Sequence, residues 1–373
     1  MASSVALVSR RQLPSPGLWI IGHATRVFVS CAPFSVANNH RLATLTELND
    51  TSAPTNPLAI VASDMQLVDA VIRTQLHSEV VLVSQVANYI IQSGGKRLRP
   101  ALLLLMSGAL GADTAHRHSL AAVVEFIHTA TLLHDDVVDE STMRRGRDTA
   151  NELFGNAASV LVGDFLYSRA FQMMVDAGSM RIMQVLSNAT NVIAEGEVLQ
   201  LMNMHDATLS RDGYLHVIRS KTAKLFEAST RIAAILNQQD EQTEAACAEY
   251  GEALGTAFQI IDDVLDYEGQ AQELGKNLGD DLREGKLTLP VICTLEQVSG
   301  AEHDLIVSAI ENGDLSQLER IKQLIHQHGG LTQAREVAQL EAQRAMAAIK
   351  HLPDNGYTQS LSALAAGSVH RRN

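Results

Sequence analysis

Residues 133–140 read LHDDVVDE and residues 258–268 read FQIIDDVLDYE, so one aspartate spacing, Asp135-Asp136-Asp139, recurs as Asp262-Asp263-Asp266. Both copies sit in strongly apolar stretches. Upstream of the first, Leu120, Val123, Val124, Ile127 and Thr131 recur at helical intervals of three and four. On a helix, positions four apart share a face, so Asp135 projects with Asp139 and Asp262 with Asp266. Carboxylates gathered inside an apolar helix repel one another and carry a large desolvation cost, so something cationic must compensate. Hard oxygen donors suit Mg²⁺, which keeps several waters and completes its shell with phosphate. Two such clusters therefore read as a clamp around a Mg²⁺–diphosphate. A solvated acidic helix end would account for one copy, but hardly for two within apolar helices.

The rest of the chain fits the helical reading. No proline occurs between Pro100 and Pro290, and aromatic residues make up only 4% of the 373. Alanine, leucine, glutamine, glutamate and methionine are frequent, and no alternating pattern with Asn-Gly turns marks a hairpin. The fold class expected is all-α: an antiparallel helical bundle, as one catalytic domain over residues 57–373. Residues 1–46 differ. They contain no Asp or Glu, carry Arg10, Arg11, Arg26 and Arg41, and five of the eight prolines lie at or before Pro57. Residues 1–56 are read as a disordered extension or a targeting segment. Arg-rich, acid-poor composition is that of a mitochondrial transit peptide, and an upstream misplaced start is the plainer alternative. The location expected is cytoplasmic, or the mitochondrial matrix if residues 1–46 are a transit peptide.

Further basic residues lie near the aspartates. Residues 93–100 read SGGKRLRP. Paired glycines let a backbone approach an anion, while Lys96, Arg97 and Arg99 supply a point charge and guanidinium forks. Arg144 and Arg145 follow Asp139 closely, and His128 lies two helical turns before Asp135. Lys221, Thr222 and Gln259 are weaker signals, Gln259 facing the cleft three positions before Asp262, and Lys276 and Lys286 follow the second cluster. Each alone could be an ordinary surface or core residue.

A formal net charge of −13 excludes general nucleic-acid binding, which needs a basic face. Cys31, Cys247 and Cys293 show no zinc or disulfide spacing and read as reduced thiols. The longest apolar run, about Ala101 to Leu110, is too short to span a bilayer and reads as a core helix.

In order and spacing, GGKRLRP, HDDVVD, RRGRDT, KTAKLF, FQIIDDVLD and GKNLGDDLREGKLTLP resemble the motifs of the trans-polyprenyl diphosphate synthases. The likeness covers roughly residues 60–370 and is strongest to the bacterial octaprenyl diphosphate synthases of quinone biosynthesis. It implies helices around a deep central cavity, a homodimer, Mg²⁺ dependence, and a product delivered to a membrane. It also implies roles. Lys96, Arg99, His128 and Arg145 would hold isopentenyl diphosphate, with Arg97 in the same loop. Asp135, Asp139 and Arg144 would hold the allylic diphosphate with Mg²⁺. Lys221, Thr222, Gln259 and Lys276 would complete the allylic side, and Asp262, Asp263 and Asp266 would add metal support, with Asp136 in the first cluster.

Related short-chain enzymes place bulky aromatics near the depth of Ala130, five residues before Asp135. Here Ala130 and Thr131 are small, so a long product is expected, with its tail running toward Ile127 and Val123. A terpene cyclase needs only one diphosphate site, which the separate basic loop argues against. A regulatory subunit would tolerate eroded aspartates, and here they are whole.

Overall fold

The computed structural model describes residues 56–92, 94–111, 116–144, 146–268 and 279–371, all within the unit Ser52–Asn373. The N-terminal segment read as an extension or targeting signal lies outside the described residues, as do Cys31, Ser93, Arg145 and Lys276. The chain runs through α1 (Ala62–Gln75), α2 (Val81–Gln92), α3 (Leu98–Ala109) and α4 (Arg117–Val138). A short hairpin follows, β1 (Met143–Arg144) paired antiparallel with β2 (Arg147–Asp148). Then come α5 (Ala150–Phe154), α6 (Asn156–Asp176), α7 (Met180–Met202), α8 (Arg211–Ile218), α9 (Lys224–Leu236) and α10 (Glu241–Glu268). The C-terminal third holds α11 (Asp280–Arg283), α12 (Leu289–Leu295), α13 (Ala301–Asn312), α14 (Leu318–Gln327), α15 (Gly330–Ala348) and α16 (Gly356–Ser368).

The apolar periodicity accounts for the packing. Leu120, Val123, Val124, Ile127 and Ala130 of α4 are fully buried, against α1, α3 and α6. The run from Ala101 to Met106 is buried on every side of α3, which lies among α4, α9 and α16. Two apolar cores result. One gathers α1–α4, α6, α7, α9 and the first half of α10. The other gathers the second half of α10, from Ile260 to Tyr267, with α8 and α11–α15. Thus α10 belongs to both, and its aspartates sit in its last turns. Among the described residues no helix is long and apolar enough to cross a membrane.

Between α8 and α9 the helix widens into a π-turn, Arg219–Ala223. A π-turn lacks the regular ladder and is uncommon outside functional sites. Neighbouring helices hold it closely: a Cβ on Gly196 of α7 would lie 2.8 Å from the Lys221 backbone nitrogen, and one on Gly255 of α10 would lie 2.7 Å from Ala223 Cα. Only glycine at those two positions lets α7 and α10 close on the turn. Lys221 and Thr222 are thereby fixed at the level of both aspartate clusters.

Candidate functional site

The last turns of α4 and α10 open onto one cavity of ≈ 810 Å³. Asp135 and Asp139 line it from α4, and Asp262 and Asp263 from α10. Lys96, Arg99, His128, Arg144, Lys221, Thr222 and Gln259 also reach it.

Protein cations meet several of the cavity carboxylates. The Lys221 ammonium lies 3.7 Å from Asp135 Oδ2 and 2.6 Å from Glu197 Oε2 on α7. Burial pushes the Asp135 carboxyl above its usual range, and Lys221 opposes that shift. Burial likewise pushes Glu197 up to about 7, again against Lys221. Arg371, three residues beyond the end of α16, pairs with Asp262 at 3.1 Å and stacks on Phe258 at 3.9 Å. Burial opposes the charge on Lys286, but Asp281, Glu284, Asp139 and Asp263 more than offset it and push its pKa up.

Two members of the aspartate motifs take other positions. Asp136 is fully buried and receives Arg144 Nε and Nη2 on its Oδ1, both at 2.7 Å. It lies one position round the helix from Asp135 and faces the protein, so its role is to fix Arg144 at the cavity edge, not to act at the reacting centre. Asp266 is also fully buried, and its Oδ2 accepts the Asp281 N–H at 3.3 Å. One turn below Asp262, it anchors α11 and does not line the cavity.

The basic loop is divided in the same way. Arg97 takes the left-handed backbone region, φ 44°, as the N-cap of α3. Its guanidinium pairs with Asp69 of α1 and lies 4.0 Å from Glu125 of α4. Arg97 thus fastens the loop, and with Lys96 and Arg99 it also lines the cavity. Arg99 Nη1 lies 3.0 Å from His128 Nε2, and its guanidinium sits 4.6 Å from the Phe226 ring centroid. Partial burial and the charge of Arg371 hold the Lys96 ammonium below its usual range.

A chain of polar side chains crosses from the π-turn to α8. Thr222 Oγ1 donates to Gln259 Oε1 at 3.0 Å, Gln259 Nε2 donates to Asp263 Oδ1 at 2.7 Å, and Tyr214 OH donates to Asp263 Oδ2 at 2.6 Å. Burial, followed by the charge of Asp281, pushes Asp263 up to about 8. Asp263 is therefore the fixed point that orients the Gln259 amide.

A second cavity of ≈ 460 Å³ lies between α4, α6 and α7 and shares Thr131, Asp135 and Glu197 with the first. Tyr167, Phe171, Ile193 and Ala194 form its apolar wall. Ala130 lines neither cavity; it is fully buried in the first core instead. On the tail path expected past Ala130, Ile127 and Val123 are fully buried in that core, whereas Thr131 lines both cavities.

Sequence reasoning missed Glu197, Tyr214 and Arg371. A charge at an apolar-periodic position, four after Ile193, is the signal for Glu197. Tyr214 carries no signal, since only the approach of α8 to α10 brings it to Asp263.

Magnesium fits these residues. Among the described residues no three carboxylate, imidazole or thiolate groups converge to hold a metal ion by themselves. Asp135 and Asp139 instead present hard oxygens in pairs beside cations, the donor set of an ion that takes its remaining ligands from water and a bound phosphate.

A family model described as polyprenyl synthetase matches residues 80–328. The octaprenyl diphosphate synthase of Escherichia coli (strain K12) is 49% identical over 313 residues, 84% of this chain and 97% of that protein. The solved structure of a polyprenyl synthase from Caulobacter crescentus CB15, complexed with calcium and isoprenyl diphosphate, superposes with a TM-score of 0.82 at 43% identity, covering 85% of this chain and 97% of that one. A decaprenyl diphosphate synthase from Rhodobacter capsulatus superposes with a TM-score of 0.81 at 47% identity, covering 85% and 98%.

Proposed function

Since this chain belongs to the polyprenyl synthetase family, we propose that it is a trans-prenyltransferase that adds isopentenyl diphosphate units to an allylic diphosphate, giving a long polyprenyl diphosphate of octaprenyl length. The observation that carries this reading is one cavity lined by two separate sets of cations, Lys96 with Arg99 and Lys221 with Arg144, beside Asp135, Asp139 and Asp262. Two anionic substrates have to be held at once for condensation, and one set would suffice for a cyclase.

In this reading Asp135, Asp139 and Asp262 hold Mg²⁺. Mg²⁺ held there would supply Lewis-acid chemistry at the allylic diphosphate. Lys221 and Arg144 bind that diphosphate, and Arg99 with His128 and Lys96 binds isopentenyl diphosphate. The allylic C–O bond breaks with its electron pair leaving on diphosphate. The oxygens of Thr222 and Gln259, oriented by Asp263, face the resulting carbocation. The isopentenyl double bond then attacks, forming the new C–C bond and leaving a tertiary cation on the isopentenyl unit, and loss of a proton from the adjacent carbon to the released diphosphate restores a double bond.

The tail of the growing chain passes Thr131 into the second cavity, along Tyr167, Phe171 and Ile193. A homodimer is supported by Val160, Leu161, Phe171 and Val175, exposed apolar residues that share one face of α6. The product is apolar enough to require delivery to a membrane.

Incubating the purified chain with farnesyl diphosphate, labelled isopentenyl diphosphate and Mg²⁺ tests the reading, with product length read by chromatography. A C40 product that disappears with EDTA and returns with Mg²⁺ is expected. A longer product would correct the length toward that of the Rhodobacter capsulatus enzyme, and no elongation at all would refute the function.

A further inference from the structure

Glu197 stands where the two cavities meet, lining both. Its carboxylate is 2.6 Å from Lys221 Nζ, whereas Asp135 is 3.7 Å from the same ammonium. Lys221 is thus shared unequally between an aspartate of the first cluster and a glutamate outside both clusters. We propose that Glu197 is a positioning residue, which holds the Lys221 ammonium off Asp135 and so keeps that carboxylate open to Mg²⁺ while Lys221 is aimed at the diphosphate. This rests on the site reading above, in which Asp135 takes the cation and Lys221 the allylic diphosphate.

The backbone supports it. Glu197 follows Gly196, the residue whose missing Cβ allows α7 to meet the π-turn at the Lys221 backbone nitrogen. The carboxylate and the ammonium therefore leave adjoining backbones that cannot slide apart. An amine on a four-carbon stem reorients readily when it loses a partner. Without Glu197, the ammonium has Asp135 as its remaining carboxylate within 4 Å among the ion pairs of the described residues. A closed Lys221–Asp135 pair would compete with the metal for the same oxygens.

Isothermal titration calorimetry of the full chain with Mg²⁺ and inorganic diphosphate tests this in five proteins: wild type, Glu197→Ala, Glu197→Gln, Lys221→Ala and Glu197→Ala with Lys221→Ala. In the Lys221 background, Mg²⁺ affinity at saturating diphosphate falls about tenfold for Glu197→Ala and about threefold for Glu197→Gln, whose amide oxygen still accepts from the ammonium. In the Lys221→Ala background, removing Glu197 changes it by less than about twofold. An equal loss with and without Lys221, or unchanged Mg²⁺ affinity in the Glu197 variants, overturns the inference. Should the alanine variant not fold, the isosteric Glu197→Gln alone carries the test. A wild-type chain that shows no Mg²⁺-dependent diphosphate binding overturns the site reading itself, and the wild-type arm distinguishes that failure.

Discussion

Tyr214→Phe removes one oxygen atom and leaves the packing of α8 on α10 intact. The lost hydroxyl is the 2.6 Å donor to Asp263 Oδ2, between two side chains that are 3% and 4% exposed. The effect depends on pH. Burial pushes the native Asp263 carboxyl up to about 8, while the bonds from Tyr214 and Gln259 hold it down. An unfolded aspartate titrates near ~3.9. The native group therefore keeps its proton to higher pH than the unfolded one, and its contribution to stability declines as pH rises from ~4 to about 8, then levels off. Removing the Tyr214 donor raises the native value further, so in the variant the decline continues above that point. At about pH 7 the loss is that of a neutral hydrogen bond, ~1 kcal/mol; at about pH 9.5 it is that of a bond to a buried carboxylate, ~2–3 kcal/mol. For a domain of about 300 residues these correspond to ~2 °C and ~4 °C in Tm. Thermal melts by circular dichroism at the two pH values check this. A difference that is absent, or the same at both, would refute the reasoning that Tyr214 stabilises the ionised form. Turnover should fall about tenfold as the Gln259 amide loses its fixed anchor.

Asp135→Ala and Asp262→Ala should each reduce turnover by at least about a hundredfold with helical content unchanged, as measured by steady-state kinetics and circular dichroism; parallel loss of helix would make both residues structural. Arg99→Ala should raise KM for isopentenyl diphosphate about tenfold and leave that for the allylic substrate within about twofold, because Arg99 is held between His128 and Phe226 on the basic-loop side. Thr131→Phe should shorten the product, since Thr131 lines both cavities. Ala130→Phe, in a filled core, should instead lower stability by ~1–3 kcal/mol, measured by urea unfolding, and an Ala130 variant that is stable yet makes short products would return the tail path to the α4 core face.

The sequence by itself determined the all-helical class, because apolar spacing of three and four and a long proline-free stretch are local properties that no tertiary arrangement has to supply. It also picked out the two aspartate motifs, since carboxylates embedded in apolar helices stand out wherever the helices lie. What tertiary structure decided is the direction in which each charge points. Asp135 and Asp136 are adjacent in sequence, yet one turns to the cavity and the other to Arg144. Arg97 and Arg99 both reach the cavity, yet Arg97, left-handed at the start of α3, is paired with Asp69, whereas Arg99 meets His128 and Phe226. Ala130 and Thr131 are likewise neighbours, and which of them meets the product path depends on the helices against which α4 packs. Glu197, Tyr214 and Arg371 lie 24, 49 and 109 positions from Lys221, Asp263 and Asp262, on stretches with no motif of their own, so only the approach of whole helices brings them to the site.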